Sequence, residues 1–163
     1  MSQTAPTEPT LPDNAGVLVR PPVAWALAVV SGLALGWLVP SPFLPNRSLA
    51  AWTGSGVFVL ALGLLAWASA TIRGSGSNIP TNRSTTTIVE TGPYRFSRNP
   101  IYVAMFLGLI GLAVAFDDLW LLASLALFAL VIRYGVVARE EAYLERKFGD
   151  VYARYRARAR RWL

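Results

Sequence analysis

The sequence predicts an all-α integral membrane protein of about four transmembrane helices, with a C-terminal helical hairpin and, beyond it, a cytoplasmic amphipathic C-terminal helix. Three observations carry this. Hydrophobic residues make up 54% of the 163, and the mean hydropathy is +0.44, more than a soluble domain of this size shows. Apolar runs recur at 23–39, 51–72, 101–116 and 119–137, and the first three hold no charged residue. Arginines gather beside these runs, where a spanning chain keeps them.

Taken in order, residues 1–22 form a polar arm rich in Pro and Thr, expected to be disordered. No signal peptide is expected, because the first apolar run follows that arm and ends without a small-residue cleavage site. Residues 23–163 read as one domain with no internal repeat. In the first run Gly32 and Gly36 form a small-xxx-small pair, and Gly54, Gly56 and Gly63 thin the second; such residues let helices approach closely in lipid. At about 1.5 Å per residue the second run crosses a core of about 30 Å, while the first and third need flanking residues. The third is alternatively tilted or re-entrant. Gly74-Ser75-Gly76 reads as a flexible loop following an apolar helix.

Only Asp117 and Asp118 separate the third and fourth runs, so these form an antiparallel hairpin whose ends near Pro100 and Val137 lie side by side. Beyond the hairpin, Gly149 is suited to end a helix and Asp150 to cap the next, giving a helix, a break and a shorter basic helix over 139–163. Leu144, Phe148, Val151, Tyr152 and Tyr155 recur at helical spacing, a stripe for the membrane surface or for the loop before the third helix.

Charge gives orientation. Arg20, Arg73, Arg83, Arg95, Arg98 and the basic run from Arg139 to Arg161 fall on one side of a four-span chain, against Arg47, Asp117 and Asp118 on the other, so both termini are expected in the cytoplasm. The net charge of +6 and pI near 10.3 point to anionic lipid headgroups rather than nucleic acid, since the basic residues flank the spans. Fourteen Arg against one Lys, with abundant Ala, is a bias of GC-rich bacterial genomes and suggests a bacterial-type inner membrane. The chain has no Cys and no His, which removes thiol nucleophiles, disulfides, zinc and haem sites and the usual neutral-pH proton shuttle; no metal is expected. A Gly-rich turn between a strand and a helix, the mark of a soluble-type nucleotide fold, is also missing.

Two polar clusters remain for chemistry. The first is Thr91-Gly92-Pro93-Tyr94-Arg95-Phe96-Ser97-Arg98-Asn99-Pro100-Ile101-Tyr102. Asn99 suits an N-cap and Pro100 a first helical position, so unpaired N–H groups beside Arg95 and Arg98 would attract the carboxylate of a cofactor or substrate. A capped helix with arginines that merely follow the positive-inside rule is the plainer reading. The second cluster holds Arg133, Arg139, Glu140 and Glu141. Seven residues put Arg133 and Glu140 on one α-helical face, where they pair or share a pocket, unless Arg133 only snorkels to the interface.

The blocks Gly92-Pro93-Tyr94, Arg98-Asn99-Pro100-x-Tyr102, Glu140-Glu141-x-x-Leu144 and Phe148-Gly149-x-x-Tyr152-x-x-Tyr155 resemble the isoprenylcysteine carboxyl methyltransferase and phospholipid methyltransferase superfamily over about 80–163. The resemblance implies a membrane-embedded helical fold that binds S-adenosylmethionine in a cytoplasmic pocket, with a second opening for a lipophilic small-molecule or lipid substrate. It implies cofactor contacts at Tyr94, Arg98, Asn99, Pro100, Tyr102, Glu140, Glu141 and Tyr152; beside these, Arg98, Asn99, Arg133 and Glu141 are the residues expected to be catalytic. The family's usual Arg-His-Pro is here Arg98-Asn99-Pro100, and Asn cannot shuttle a proton. An acceptor already anionic at neutral pH, a carboxylate above all, needs no such shuttle, whereas an ammonium must first lose a proton. Carboxylate O-methylation is therefore favoured, with Arg98 or Arg133 holding the charge, while Glu140, Glu141 or a tyrosine would serve an amine. The rivals are phospholipid amine N-methylation and a non-catalytic protein that binds lipids or a partner. Oligomerisation, and how the first two helices sit against the hairpin, stay open.

Overall fold

The computed structural model describes residues 14–76 and 85–163. Among these the chain is helical: α1 (Pro21–Leu38), α2 (Arg47–Gly74), a 3₁₀ turn (Gly92–Arg95), α3 (Pro100–Phe116), α4 (Leu119–Leu130), a π-helical segment (Val131–Val137), α5 (Ala138–Phe148) and α6 (Asp150–Arg158). The helices at Pro21–Leu38, Arg47–Gly74 and Leu119–Phe148 are long and apolar enough to cross a membrane. At 17 residues α3 is shorter, about 26 Å of helix against a core of about 30 Å. It is also the most enclosed helix, with Tyr102, Val103, Ala104, Leu109 and Ala113 all buried.

Glycines decide the pairing left open by the sequence. A Cβ at Gly54 of α2 would run into the backbone of Ala115 and Gly111 of α3, and one at Gly111 would meet Phe58 of α2, so these two helices touch backbone to backbone. On α1, a Cβ at Gly32 would meet Leu121 and one at Gly36 the Asp118 carboxylate, which sets α1 against α4. Gly56 and Gly63 face open space and have no part in this packing, contrary to the sequence reading. The Trp25 indole N–H donates to the Met105 carbonyl at 2.9 Å and ties α1 to α3 as well.

At one end of the bundle the hairpin turn is clamped. Asp117 adopts a left-handed conformation (φ 53°), and its Oδ1 accepts from the N–H groups of Phe43 and Leu44, each at 2.8 Å. Asp118 caps α4 by accepting from the Trp120 N–H at 2.8 Å. The opposite end gathers the N-terminal arm, the start of α3, the end of the long helix and the C-terminal tail.

Several boundaries differ from expectation. The expected arm of 1–22 is fixed over residues 14–20: the Leu18 N–H donates to the Gly135 carbonyl at 3.1 Å, and the Arg139 guanidinium to the Gly16 carbonyl at 3.0 Å. Its remainder, 1–13, lies outside the described residues, as does Arg83. The long helix does not stop at 137 but continues to Phe148. Gly149 (φ 48°) makes the break, and Asp150 is the first residue of α6 rather than its cap.

Candidate functional site

The site is built where α3 begins beside α5. Gly92 has a positive φ of 57°, and a Cβ there would press on Thr71 of α2, so a glycine lets the 3₁₀ turn lie against that helix. The turn leads into Ser97, Arg98 and Asn99, and Pro100 opens α3 as expected. Asn99 occupies the N-cap position without making the side-chain cap: its Nδ2 donates instead to the Arg161 carbonyl at 2.9 Å. Ser97 and Arg160 form an isolated parallel β-bridge, and the Arg98 N–H donates to the Arg160 carbonyl at 2.8 Å. The last residues of the chain thus form a strap along the start of α3. Trp162 anchors it, its ring edge-on to Phe106 with centroids 5.5 Å apart.

Carboxylates meet cations under this strap. The Arg98 guanidinium, its side chain only 9% exposed, donates to Glu141 Oε1 at 2.9 Å and to the Arg156 carbonyl at 3.2 Å. Arg161 donates to both oxygens of Glu141, Nε to Oε1 at 3.1 Å and Nη2 to Oε2 at 2.7 Å, a fork-on-carboxylate pairing. Half-buried Glu140 accepts the Tyr102 phenol at 2.8 Å. The Nε of Arg98 and the hydroxyl of Tyr94 are buried with no hydrogen-bond partner among the described residues. Buried polar atoms without partners are rare in finished cores, and here two lie in one neighbourhood.

Behind the charges stands a tyrosine layer. Tyr152 and Tyr155 are buried, with Ile88, Leu144 and Phe148 packed on them, and the Tyr155 hydroxyl donates to the Tyr94 carbonyl at 2.9 Å. The apolar stripe therefore packs on the loop before α3, except for Val151, which is exposed. Burial, and after it the Glu141 charge, pushes the Tyr152 phenol up to about 12. Burial raises Tyr94 and Tyr155 as well. These phenols stay protonated at neutral pH and act as donors or packing, which leaves carboxylates as the bases of the site.

Seven of the eight residues expected to line a pocket, Tyr94, Arg98, Asn99, Tyr102, Glu140, Glu141 and Tyr152, come together here, and Pro100 is buried at the helix start. Arg133 does not join them. It is exposed, its guanidinium 5.4 Å from the neighbouring Tyr134 ring, and among the described residues no hydrogen bond or ion pair joins it to Glu140. The reason is the π-helical segment: a face reckoned at 3.6 residues per turn does not survive a wider turn between the two residues. The residue missed from the sequence is Arg161. Its neighbours Arg154, Arg156, Arg158 and Arg160 look alike, and the only sign that the chain folds back is Trp162 after the basic run.

Residues 49–151 match a family described as phospholipid methyltransferase. The chain belongs to this family. The phospholipid methyltransferase match begins in α2 and ends at the start of α6, so it contains both polar clusters and the hairpin between them, while the strap lies beyond it. An uncharacterized protein of Haemophilus influenzae is 50% identical over 64 residues, 36% of this chain and all of that protein. The nickel-cobalt-cadmium resistance protein NccN of Alcaligenes xylosoxydans xylosoxydans is 39% identical over 74 residues, 44% of this chain and 35% of that protein. The cobalt-zinc-cadmium resistance protein CzcN of Cupriavidus metallidurans is 33% identical over 110 residues, 66% of this chain and half of that protein. The alignments thus span about a third and a half of the two resistance proteins' lengths. No solved structure matches the chain.

Proposed function

We propose that this chain is a multi-pass methyltransferase of a bacterial-type inner membrane, with four spans and both termini in the cytoplasm, that uses S-adenosylmethionine to methylate a small lipophilic or lipid-borne acceptor. The observation that carries the reading is the Arg98–Glu141–Arg161 cluster beside Glu140, set under the start of α3 with an unpartnered buried Arg98 Nε. The donor set fits the cofactor's chemistry: carboxylates for its ammonium and ribose hydroxyls, and guanidinium N–H groups for its carboxylate. When bound, the cofactor supplies an electrophilic methyl group on a sulfonium.

The chain's own residues do the rest. Glu140, held by Tyr102, and Glu141, held between two arginines, are fixed acceptors, so little ordering remains to be done on binding. Arg98 anchors an anionic group through its free Nε. Asn99 works indirectly, by holding the strap at the Arg161 carbonyl. Alignment of acceptor and donor, with water kept out by the apolar hairpin, supports in-line transfer without a proton shuttle. That favours an acceptor already ionised at neutral pH, a carboxylate, with guanidinium charge to hold it. Two relatives are named for metal resistance, but this chain has no Cys or His, the ligands that late transition metals prefer, which favours methyl transfer.

The family match favours a second reading, N-methylation of a phospholipid amine, with Glu140 or Glu141 as the base. The two are separated by incubating membranes that contain the protein with methyl-labelled cofactor and treating the extracted lipids with mild base. A methyl ester releases its label as methanol, whereas an N-methyl group keeps it. Base-labile label is expected; base-stable label on headgroups would replace the first reading with the second.

A further inference from the structure

Arg161 is more than the end of a basic tail. Its backbone is held three ways that do not involve its guanidinium: its carbonyl accepts from Asn99 Nδ2 at 2.9 Å and from Ser97 Oγ at 3.5 Å, and Trp162 is seated against Phe106. The strap therefore has its own fastenings, and the side chain is not needed to keep it in place. Yet the side chain is committed with good geometry to Glu141, through Nε and Nη2, while Nη1 has no partner among the described residues. Its side chain is 42% exposed against 9% for Arg98, so it is the arginine of the pair that a solute can reach. Two arginines and two glutamates, formally neutral together, converge at one spot, with a second unpartnered donor at the buried Arg98 Nε. A neutral set of paired opposite charges with spare donors complements a zwitterion, such as the ammonium and carboxylate of an amino acid.

We propose that Arg161 is a cofactor-binding residue, its guanidinium taking the carboxylate at the amino-acid end of the cofactor while Glu141 stays as the hinge between the two arginines. This rests on the methyltransferase reading. The C-terminal strap is then part of the site, so its last residues carry ligand recognition as well as packing.

The test compares two thioether ligands that share the adenosine and differ in the amino-acid end, S-adenosylhomocysteine and 5′-methylthioadenosine. Each is titrated calorimetrically into the detergent-purified full chain as wild type, Arg161→Ala, Arg161→Lys and, as a control on the same strap, Arg160→Ala. The expected result is that Arg161→Ala weakens S-adenosylhomocysteine by about tenfold or more and leaves 5′-methylthioadenosine unchanged. Arg161→Lys should lie between, because a point charge replaces the fork, and Arg160→Ala should bind like wild type. Equal loss for both ligands would mean a structural role and overturn the assignment, as would an unchanged affinity or the same loss in Arg160→Ala. Wild type that binds neither ligand would sink the methyltransferase reading itself, and this inference with it; wild-type binding with no effect of Arg161 would sink only the inference.

Discussion

At the scale of single residues the site is a set of charges that hold one another. Glu141 lies between Arg98 and Arg161, and removing its charge leaves a 9% exposed guanidinium without its counter-ion. Glu141→Gln is expected to cost about 3 kcal/mol, read as a lowered thermal midpoint in detergent, because an uncompensated buried charge is far more costly than the intact pair is stabilising. Tyr102→Phe takes the phenol from Glu140 and should cost about 1 kcal/mol by the same measurement, a smaller loss because a neutral hydrogen-bond donor is removed rather than the counter-ion of a buried charge. Should Glu141→Gln unfold at the wild-type temperature, the cluster is not holding this end of the bundle together. The carboxylate pair and Arg98 were legible in the sequence because motif blocks mark them. Arg161 was not, since nothing local distinguishes one arginine of a basic run from the next; only the fold-back of the chain does.

Among the helices, two features decide the geometry. The first is the glycine contact between α2 and α3, where no side chain separates the backbones at Gly54 and Gly111. Gly54→Ala should destabilise by about 2–3 kcal/mol, since the added methyl meets backbone that cannot rotate away. Gly63→Ala, with open space around it, should be neutral or slightly stabilising. Equal thermal midpoints for the two variants would contradict the packing. The sequence offered both glycines as equivalent; which one faces a partner depends on the orientation of α2 about its axis, which a nearly uniform apolar surface does not encode. The second feature is the π-helical segment at Val131–Val137, which carries the helix from the apolar hairpin to Glu140 and Glu141. Its wide turn takes up one residue more than an α turn, so residues before and after it share a face at a spacing that α-helical counting misses. Deleting Tyr134, which is exposed, lets the segment close into α-helix, and because the wide turn holds one residue more than an α turn, Glu140 and Glu141 keep their facing toward Tyr102 and Arg98. Such a variant is expected to keep its ligand binding, and loss of binding in a folded variant would show that the wide turn itself shapes the site. No Pro marks this irregularity; Gly135 is its only trace in the sequence, and the N-terminal arm settles on it through the Leu18 bond.

For the molecule as a whole, hydropathy made the helical membrane fold legible, and the two-residue turn at Asp117 and Asp118 made the hairpin so, because so short a connection leaves the chain no alternative. What hydropathy does not carry is lateral arrangement: α1 lies on α4 and α2 on α3, a pairing set by where small residues meet. Nor did it show that residues 14–20 and the last five residues return to the same end of the bundle as the start of α3. That convergence brings charged groups from both ends of the hairpin to one place, and with the family match it grounds the proposal of a methyl donor bound there. The claim is tested most directly by calorimetric titration of the detergent-purified chain with S-adenosylmethionine, as wild type and as Arg98→Ala. The account predicts saturable binding to the wild type and its loss by about tenfold or more in a variant that remains folded. A folded wild-type chain with no heat of binding, or an Arg98→Ala chain that binds as tightly as the wild type, would contradict it.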